Sequence, residues 1–214
     1  MIGAKEKDHF VFTSSGAEAV NHAIQAAYFD LTMHSGRNHF ITSAIDEAPA
    51  IMAIGRLEEL SCSGKMVSPN KEGKITPDAI IAAMTPRTAL VSLSWVNGLT
   101  GVINPVAEIA AICKERGVPL HLDITHALGK LYFNSEELGA SFLTFNGDHL
   151  HAPKGTGGLW IKEGVRCSPF LIGGIEQGGR RAGSFSVANL VALGEAAKET
   201  IEARDYVGTE VARL

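Results

Sequence analysis

The sequence has no apolar run approaching the roughly 20 residues that a membrane-spanning helix needs. It also lacks a basic run. Its 19 Lys and Arg stand against 23 Asp and Glu, a formal charge of −4, and the pI is near 6.1. Nucleic acid, whose recognition needs a basic footprint, is therefore not an expected partner. Cysteines are few and scattered: Cys62, Cys113 and Cys167 make neither a disulfide framework nor a zinc knuckle, which suits a reducing compartment. The opening MIGAKEKDHF carries charges with no apolar segment behind it and no cleavage pattern, so no signal peptide is expected. Internal repeats, low-complexity tracts and linkers longer than a loop are missing too. What remains is an expected cytoplasmic, globular chain, 45% hydrophobic and 20% charged, whose 214 residues suffice for one large domain with a real core.

Short apolar runs alternate with longer amphipathic segments. The runs are HFITS (39–43), TALVSLSW (88–95), PLHLD (119–123), SFLTF (141–145) and GGLWI (157–161). Val, Ile, Leu and Phe occupy both alternating faces, the pattern of strands buried in a parallel sheet. Between them the spacing predicts helices. One opens near Ser15 and continues over 21–30; another covers 49–60 behind an acidic start at Asp46 and Glu47. Thr76-Pro77-Asp78 caps a segment to Met84, and Asn104-Pro105 opens a helix over 106–116 that Gly117 stops. A last helix is expected from 187 to about 204, its alanines and Glu/Lys pairs suiting packing against a neighbour or a further domain. Strands alternating with such helices specify βαβ units. The expected fold is α/β, a three-layer α/β/α arrangement with a mostly parallel sheet and a single domain over 1–214. The Gly-rich stretch 173–183 is the only loose one.

Ligands in such sheets bind beyond the carboxyl ends of the strands, and four unusual clusters fall there. In TSSGAEAVNHAI (13–24) a Ser/Gly turn feeds directly into a helix, leaving backbone N–H groups for a phosphate or for an ordinary N-cap. In HLDITHALGK (121–130) Asp123 ends an apolar strand, where it either meets a cation or caps the next turn, with His126 three residues on. NGDHLHAPKGTGG (146–158) packs two histidines, an Asp and a Lys between tight Gly turns. GGIEQGGRRAGS (173–184) offers Arg180 and Arg181, either to grip an anion or as solvated loop charges. The histidines 121, 126, 149 and 151 with Asp123 can be written as a metal site, but no helical His-x-x-x-His spacing supports one, and no metal ligand is assigned.

In this order and at these intervals the strings resemble a known family. ITSAIDEAPAI, TALVSLSWVNGLTGVINPVAEIAAICKERGVPLHLDITHALGK, APKGTGGLWI and GGRRAGS are similar to the cysteine desulfurases, the NifS-like branch of the class V aminotransferases, over roughly 10–193. The resemblance implies the pyridoxal-phosphate type I fold, pyridoxal phosphate as cofactor, cysteine as amino-acid substrate and a homodimer. On it, Asp123 falls where an Asp pairs with the pyridine nitrogen and keeps the ring an electron sink. Asn97 falls on the Asn that binds the ring hydroxyl, His121 on a His just before the Asp, and His126 on a Gln just after it. Gly16 and Ala17 occupy the helix-start phosphate cup. Ser184 replaces a Thr that reaches the neighbouring subunit's phosphate.

The resemblance also implies departures. Anchored on Ala152-Pro153-Lys154-Gly155, the Schiff-base Lys position falls on His149, and imidazole cannot form the protonated aldimine. A phosphate-binding His falls on Asp148, and the Ser two before it on Asn146. A carboxylate beside a phosphate dianion is repulsive by ~1–4 kcal/mol per charge pair. The ring-stacking His falls on Ala48 once one residue is inserted near Asp46. Lys154 matches a family Lys that is not the Schiff-base residue, and Arg181 matches an Arg that does not bind the substrate carboxylate. The family's persulfide cysteine and carboxylate-binding Arg belong to a C-terminal region without a counterpart here. An N-terminal arm is likewise missing, so apolar surface is expected where those parts would pack, for a partner or a separate C-terminal domain to cover.

The expectation is thus a cysteine desulfurase-like domain that is not catalytic by itself, with His149 and His121 at catalytic positions. Gly16, Ala17, Asn97, Asp123, His126, Asn146, Asp148 and Ser184 stand at cofactor positions. Two alternatives are carried forward. One is a desulfurase or lyase that works with non-covalent cofactor or a separate partner, and the other is a metal-dependent hydrolase built on His149, His151 and the 121–126 cluster.

Overall fold

A computed structural model describes residues 1–213. Seven strands form one sheet in the order β1-β7-β6-β5-β4-β2-β3. They are β1 (His9–Thr13), β2 (His39–Ser43), β3 (Ser63–Val67), β4 (Thr88–Ser94), β5 (Leu120–Asp123), β6 (Phe142–Asn146) and β7 (Gly157–Ile161). From β3 to β6 all neighbours pair in parallel. β7 runs antiparallel to both β6 and β1.

The sequence pattern holds for the interior of the sheet and is corrected at its margins. GGLWI, expected as a parallel strand, is antiparallel because residues 147–156 are too few for a crossover. A parallel return needs roughly a dozen residues or more and a helix; a turn suffices here. HFVFT and SGKMV, not read as strands, are the two edges. β3 exposes four of its five residues, so it has no apolar alternation to betray it.

Helices cover both faces. α1 (Gly16–Ala27) buries Gly16, Ala19, Val20, Ala23, Ile24 and Ala27, the one-sided spacing of a helix lying on a sheet. It continues through a π-turn (Tyr28–Thr32) and a single turn, α2 (Met33–Ser35), and stops at the left-handed Gly36. α3 (Ala48–Glu58) lies beside α1, and together they cover Phe40, Leu90, Phe142, Leu159 and Ile161. On the other face, α4 (Pro77–Ala83) and α5 (Val106–Glu115) set Ile80 and Ile109 against Val91, Leu122, Leu143 and Trp160. Fully burying each such aliphatic side chain contributes roughly 1.5–3 kcal/mol. Thr76 caps α4 by accepting from Ala79 N–H, as its sequence specifies. α6 (Val187–Arg213) is longer than the sequence suggested, running well past Arg204, and Leu193 is its one fully buried side chain. The three-layer α/β/α arrangement is that expected.

Candidate functional site

β2, β4, β5 and β6 end at one rim of the sheet, where open α/β sheets bind ligands. Close packing of α1 onto that rim depends on two glycines. A Cβ on Gly16 would lie 2.9 Å from the Asn146 Cβ, and one on Gly157 would lie 2.5 Å from the Ser15 backbone.

Asp46, expected to open a helix, instead ties two strand ends together. One oxygen accepts from Thr42 Oγ1 and Ser43 N–H, each at 2.8 Å, and the other accepts from Ser94 N–H at 2.6 Å. Burial pushes its pKa up against these donors. Asp123, at the end of β5, accepts from Thr125 N–H at 2.9 Å. Burial is the first cause that lifts its carboxyl, the Asp46 and Glu47 charges add to it, and the Thr125 bonds only partly oppose them. The net result is a pKa pushed up to about 6. Thr125 Oγ1 in turn accepts from Asn146 N–H at 3.1 Å, and Asn146 Oδ1 accepts from Gly16 N–H at 3.4 Å. One chain of contacts thus joins β5, β6 and the start of α1.

His126 and His149 meet at this rim. Their rings are edge to face at 4.7 Å, and His126 Nε2 lies 3.4 Å from Glu47 Oε1. Gly98 lies so close to the His126 ring that a Cβ there would collide with it. Asn97 is committed to its own loop. Its Nδ2 donates to Ile45 C=O at 2.8 Å, and its Oδ1 accepts from Leu99 N–H, Thr100 N–H and Thr100 Oγ1. Ala48 is the exposed first residue of α3.

The start of α1 carries its own anion. Ser15 Oγ accepts from Glu18 N–H at 3.2 Å, and Glu18 reaches back to Ser14 N–H at 2.7 Å, a capping box displaced by one residue. Arg181 grips the same carboxylate with Nε at 2.8 Å and Nη2 at 3.2 Å. Burial would raise Glu18, but the hydrogen bonds from Arg181 and Ser14 outweigh it and hold it below the usual carboxylate range. Arg181 is therefore neither a solvated charge nor free for a ligand. Ala17 is exposed at this helix start. Ser184 is exposed as well, and with Ser14, Gly155 and Arg181 it lines a cavity of about 170 Å³.

His121 does not open into the rim. It is fully buried inside the sheet with Nδ1 2.8 Å from Ser92 Oγ and Nε2 2.8 Å from Thr144 Oγ1. Burial drops its pKa to about 3, so the ring is neutral and both nitrogens are engaged in holding β4, β5 and β6 together. His151 is exposed in the left-handed region (φ 62°) that ends the turn after β6. Among the described residues no three His, Cys, Asp or Glu side chains converge on a point that could hold a metal ion, so the hydrolase alternative has no ligand set. The contribution of Asp46 and Glu47 was hidden from the sequence by their resemblance to helix-starting acids. So was the meeting of Lys130 with His149 at one cavity, formed by residues 19 apart in the chain.

The fit of pyridoxal phosphate to these groups is partial. Asp123 suits a protonated ring nitrogen, because a cation there would offset the burial that raises the acid. The other groups suit the cofactor less. Asn97 has its amide occupied, and Asp148 keeps Oδ1 buried without a partner at a position the resemblance gives to a phosphate ligand. His149 offers imidazole in place of an amine.

Comparison with known proteins agrees with this architecture. The family model described as aminotransferase class-V matches residues 1–205. A cysteine desulfurase of Nostoc sp. is 38% identical over 198 residues, covering 92% of this chain and 48% of that protein. A solved NifS-like protein superposes with a TM-score of 0.90 at 25% identity, covering 96% of this chain and 56% of the other. SspA in complex with cysteine superposes with a TM-score of 0.87 at 27% identity, covering 92% and 56%. The chain spans about half the length of the curated relatives it matches.

Proposed function

We propose, from the premise that the chain belongs to the class-V aminotransferase family, that this cysteine desulfurase-like domain does not carry out Schiff-base catalysis by itself. The observation that carries the reading is His149. It stands in the turn after β6, edge to face with His126, at the position the family resemblance gives to the Schiff-base amine. Imidazole lacks the primary amine that covalent capture of an aldehyde requires. The residues that remain have binding and positioning roles. Asp123 would hold a protonated ring nitrogen, and Asp46 and Thr125 keep the strand ends that carry the site in register. Pyridoxal phosphate, when bound, supplies an electron sink for carbanion chemistry.

The test is to add pyridoxal phosphate to the pure protein, follow absorbance and reduce with borohydride. The expected outcome is no borohydride-stable adduct on the protein and a gain of one in His149→Lys. A reduced adduct mapped to Lys130 or Lys154 of the unaltered chain would overturn the reading.

A second reading is favoured by the raised carboxyl of Asp123 at the end of β5, which a ring cation would offset: a desulfurase or lyase that holds the cofactor without a covalent link and works with a separate C-terminal partner. It is supported by the cysteine desulfurase relatives and by the neighbour that holds cysteine. Saturable cofactor binding with sulfide release from cysteine would select it. We also propose a homodimer in the cytoplasm. The three cysteines are free, and Ser184 and Phe185 are exposed in the loop that the resemblance places at the dimer interface.

A further inference from the structure

α6 crosses Gly129 so closely that a Cβ on this left-handed glycine would collide with the Thr200 side chain. Beside this crossing lies a cavity of about 160 Å³ on the α6 side of His149. Its polar lining comes from Lys130, His149, His151, Thr200 and Arg204, and no acidic side chain lines it. The two cations are also unpaired elsewhere: neither Lys130 nor Arg204 forms a salt bridge among the described residues.

Arg204 stands out within its helix. Lys198 and Arg213 each meet a glutamate three residues before them. At the helical neighbours of Arg204 stand Thr200, Ile201, Val207 and Gly208, none of which can supply a counter-charge. Its guanidinium instead stacks on Tyr132 at 3.5 Å from the ring centre, and its Nε is buried with no partner. Stacking occupies the face of the guanidinium and leaves its N–H edge for an in-plane acceptor. A buried charged donor without an acceptor is costly, so the arrangement asks for an anion. Burial also draws Lys130 below the usual lysine range, as expected of an amine with no counter-charge nearby.

We propose that this cavity is a binding site for a small tetrahedral oxyanion of the phosphate or sulfate class, gripped by the Arg204 edge and the Lys130 ammonium. Phosphate-type oxygens match the planar fork of arginine, and lysine adds a point charge. The proposal needs no cofactor at the strand ends and stands whether or not the chain binds pyridoxal phosphate.

The test is calorimetric titration of the full chain with inorganic phosphate, then with sulfate, at constant ionic strength set by chloride. Saturable binding is expected, weakened about tenfold or more in both Lys130→Gln and Arg204→Gln. It is expected to be unchanged in Lys162→Gln, which removes an exposed surface charge. If Arg204→Gln does not fold, Lys130→Gln alone decides. Glycerol phosphate as competitor separates the sources: displacement assigns the site to phosphate monoesters, and its failure assigns it to the free ion. No saturable heat beyond chloride, or equal affinity in the folded variants, overturns the proposal.

Discussion

Asp123 shows how one residue's surroundings set its chemistry. An aspartate raised to about 6 binds its proton more tightly in the folded chain than in the unfolded one. Its contribution to stability is therefore fully present below the ordinary value of 3.8 and is lost as pH rises through about 6. At neutral pH the ionised group costs at most about 3 kcal/mol. Asn keeps an oxygen for Thr125 N–H and never ionises. Asp123→Asn is thus expected to raise the melting temperature at pH 7.5 and to leave it nearly unchanged at pH 4, read by thermal unfolding at both values. A variant destabilised equally at both values would mean that the carboxylate serves packing. Asp123 was also the most legible of the candidate residues, because an acid closing the run HLD is anomalous within five letters of sequence. Asp46 was not legible. Its three donors come from residues 42, 43 and 94, and only the pairing of β2 with β4 brings the last of these near.

Among the elements, α1 joins local rules to the site. Ser15 and Glu18 cap it in the manner its sequence specifies, and Arg181 locks the cap from a loop more than 160 residues away. Glu18 is held below its ordinary range, so its contribution is present above pH 4.5 and is lost as pH falls through the depressed folded value. Ser15→Ala is expected to cost about 1 kcal/mol in urea unfolding, the usual worth of an N-cap hydroxyl. Gly16→Ala is expected to cost more, about 1–3 kcal/mol, because the new methyl must displace Asn146 or lift α1 off the rim. If the two substitutions cost the same, the close approach of α1 to β6 is not what the glycine serves. Interior strands were readable because β4, buried throughout, carries Ala89, Leu90, Val91 and Leu93 on both of its faces. β3 carries Ser, Gly and Lys at an open edge and was not. The direction of β7 was a matter of loop length, which apolar periodicity does not report.

Over the whole molecule, burial is unevenly distributed. Each face of the sheet has a continuous core, whereas α6 extends over 27 residues with Leu193 alone fully buried. Val187, Val191, Tyr206, Val207 and Val211 lie open along it. Apolar side chains are therefore exposed along this helix. Hydrogen exchange is expected to be fastest within α6 in the amides beyond Arg204 and slowest in β4 and β5, because a segment opens most readily where little apolar surface is buried beneath it. Uniform protection along α6 would show that a second copy or another partner covers it in solution.

The antiparallel strand β7 has a bearing on how the chain is made. Within the sheet His9–Thr13 pairs with residues 157–161 alone, so this edge strand has no sheet neighbour until β7 has been translated; Phe12 N–H and C=O additionally bond the Gln177 side chain. During synthesis the parallel strands between them can assemble, while an apolar edge segment waits through about 10–30 s of elongation. Any chain released before Gly157 would expose that segment unpaired. Completing this sheet waits for residues 157–161 to be translated, and a chaperone that shields Phe10–Phe12 would act in that interval.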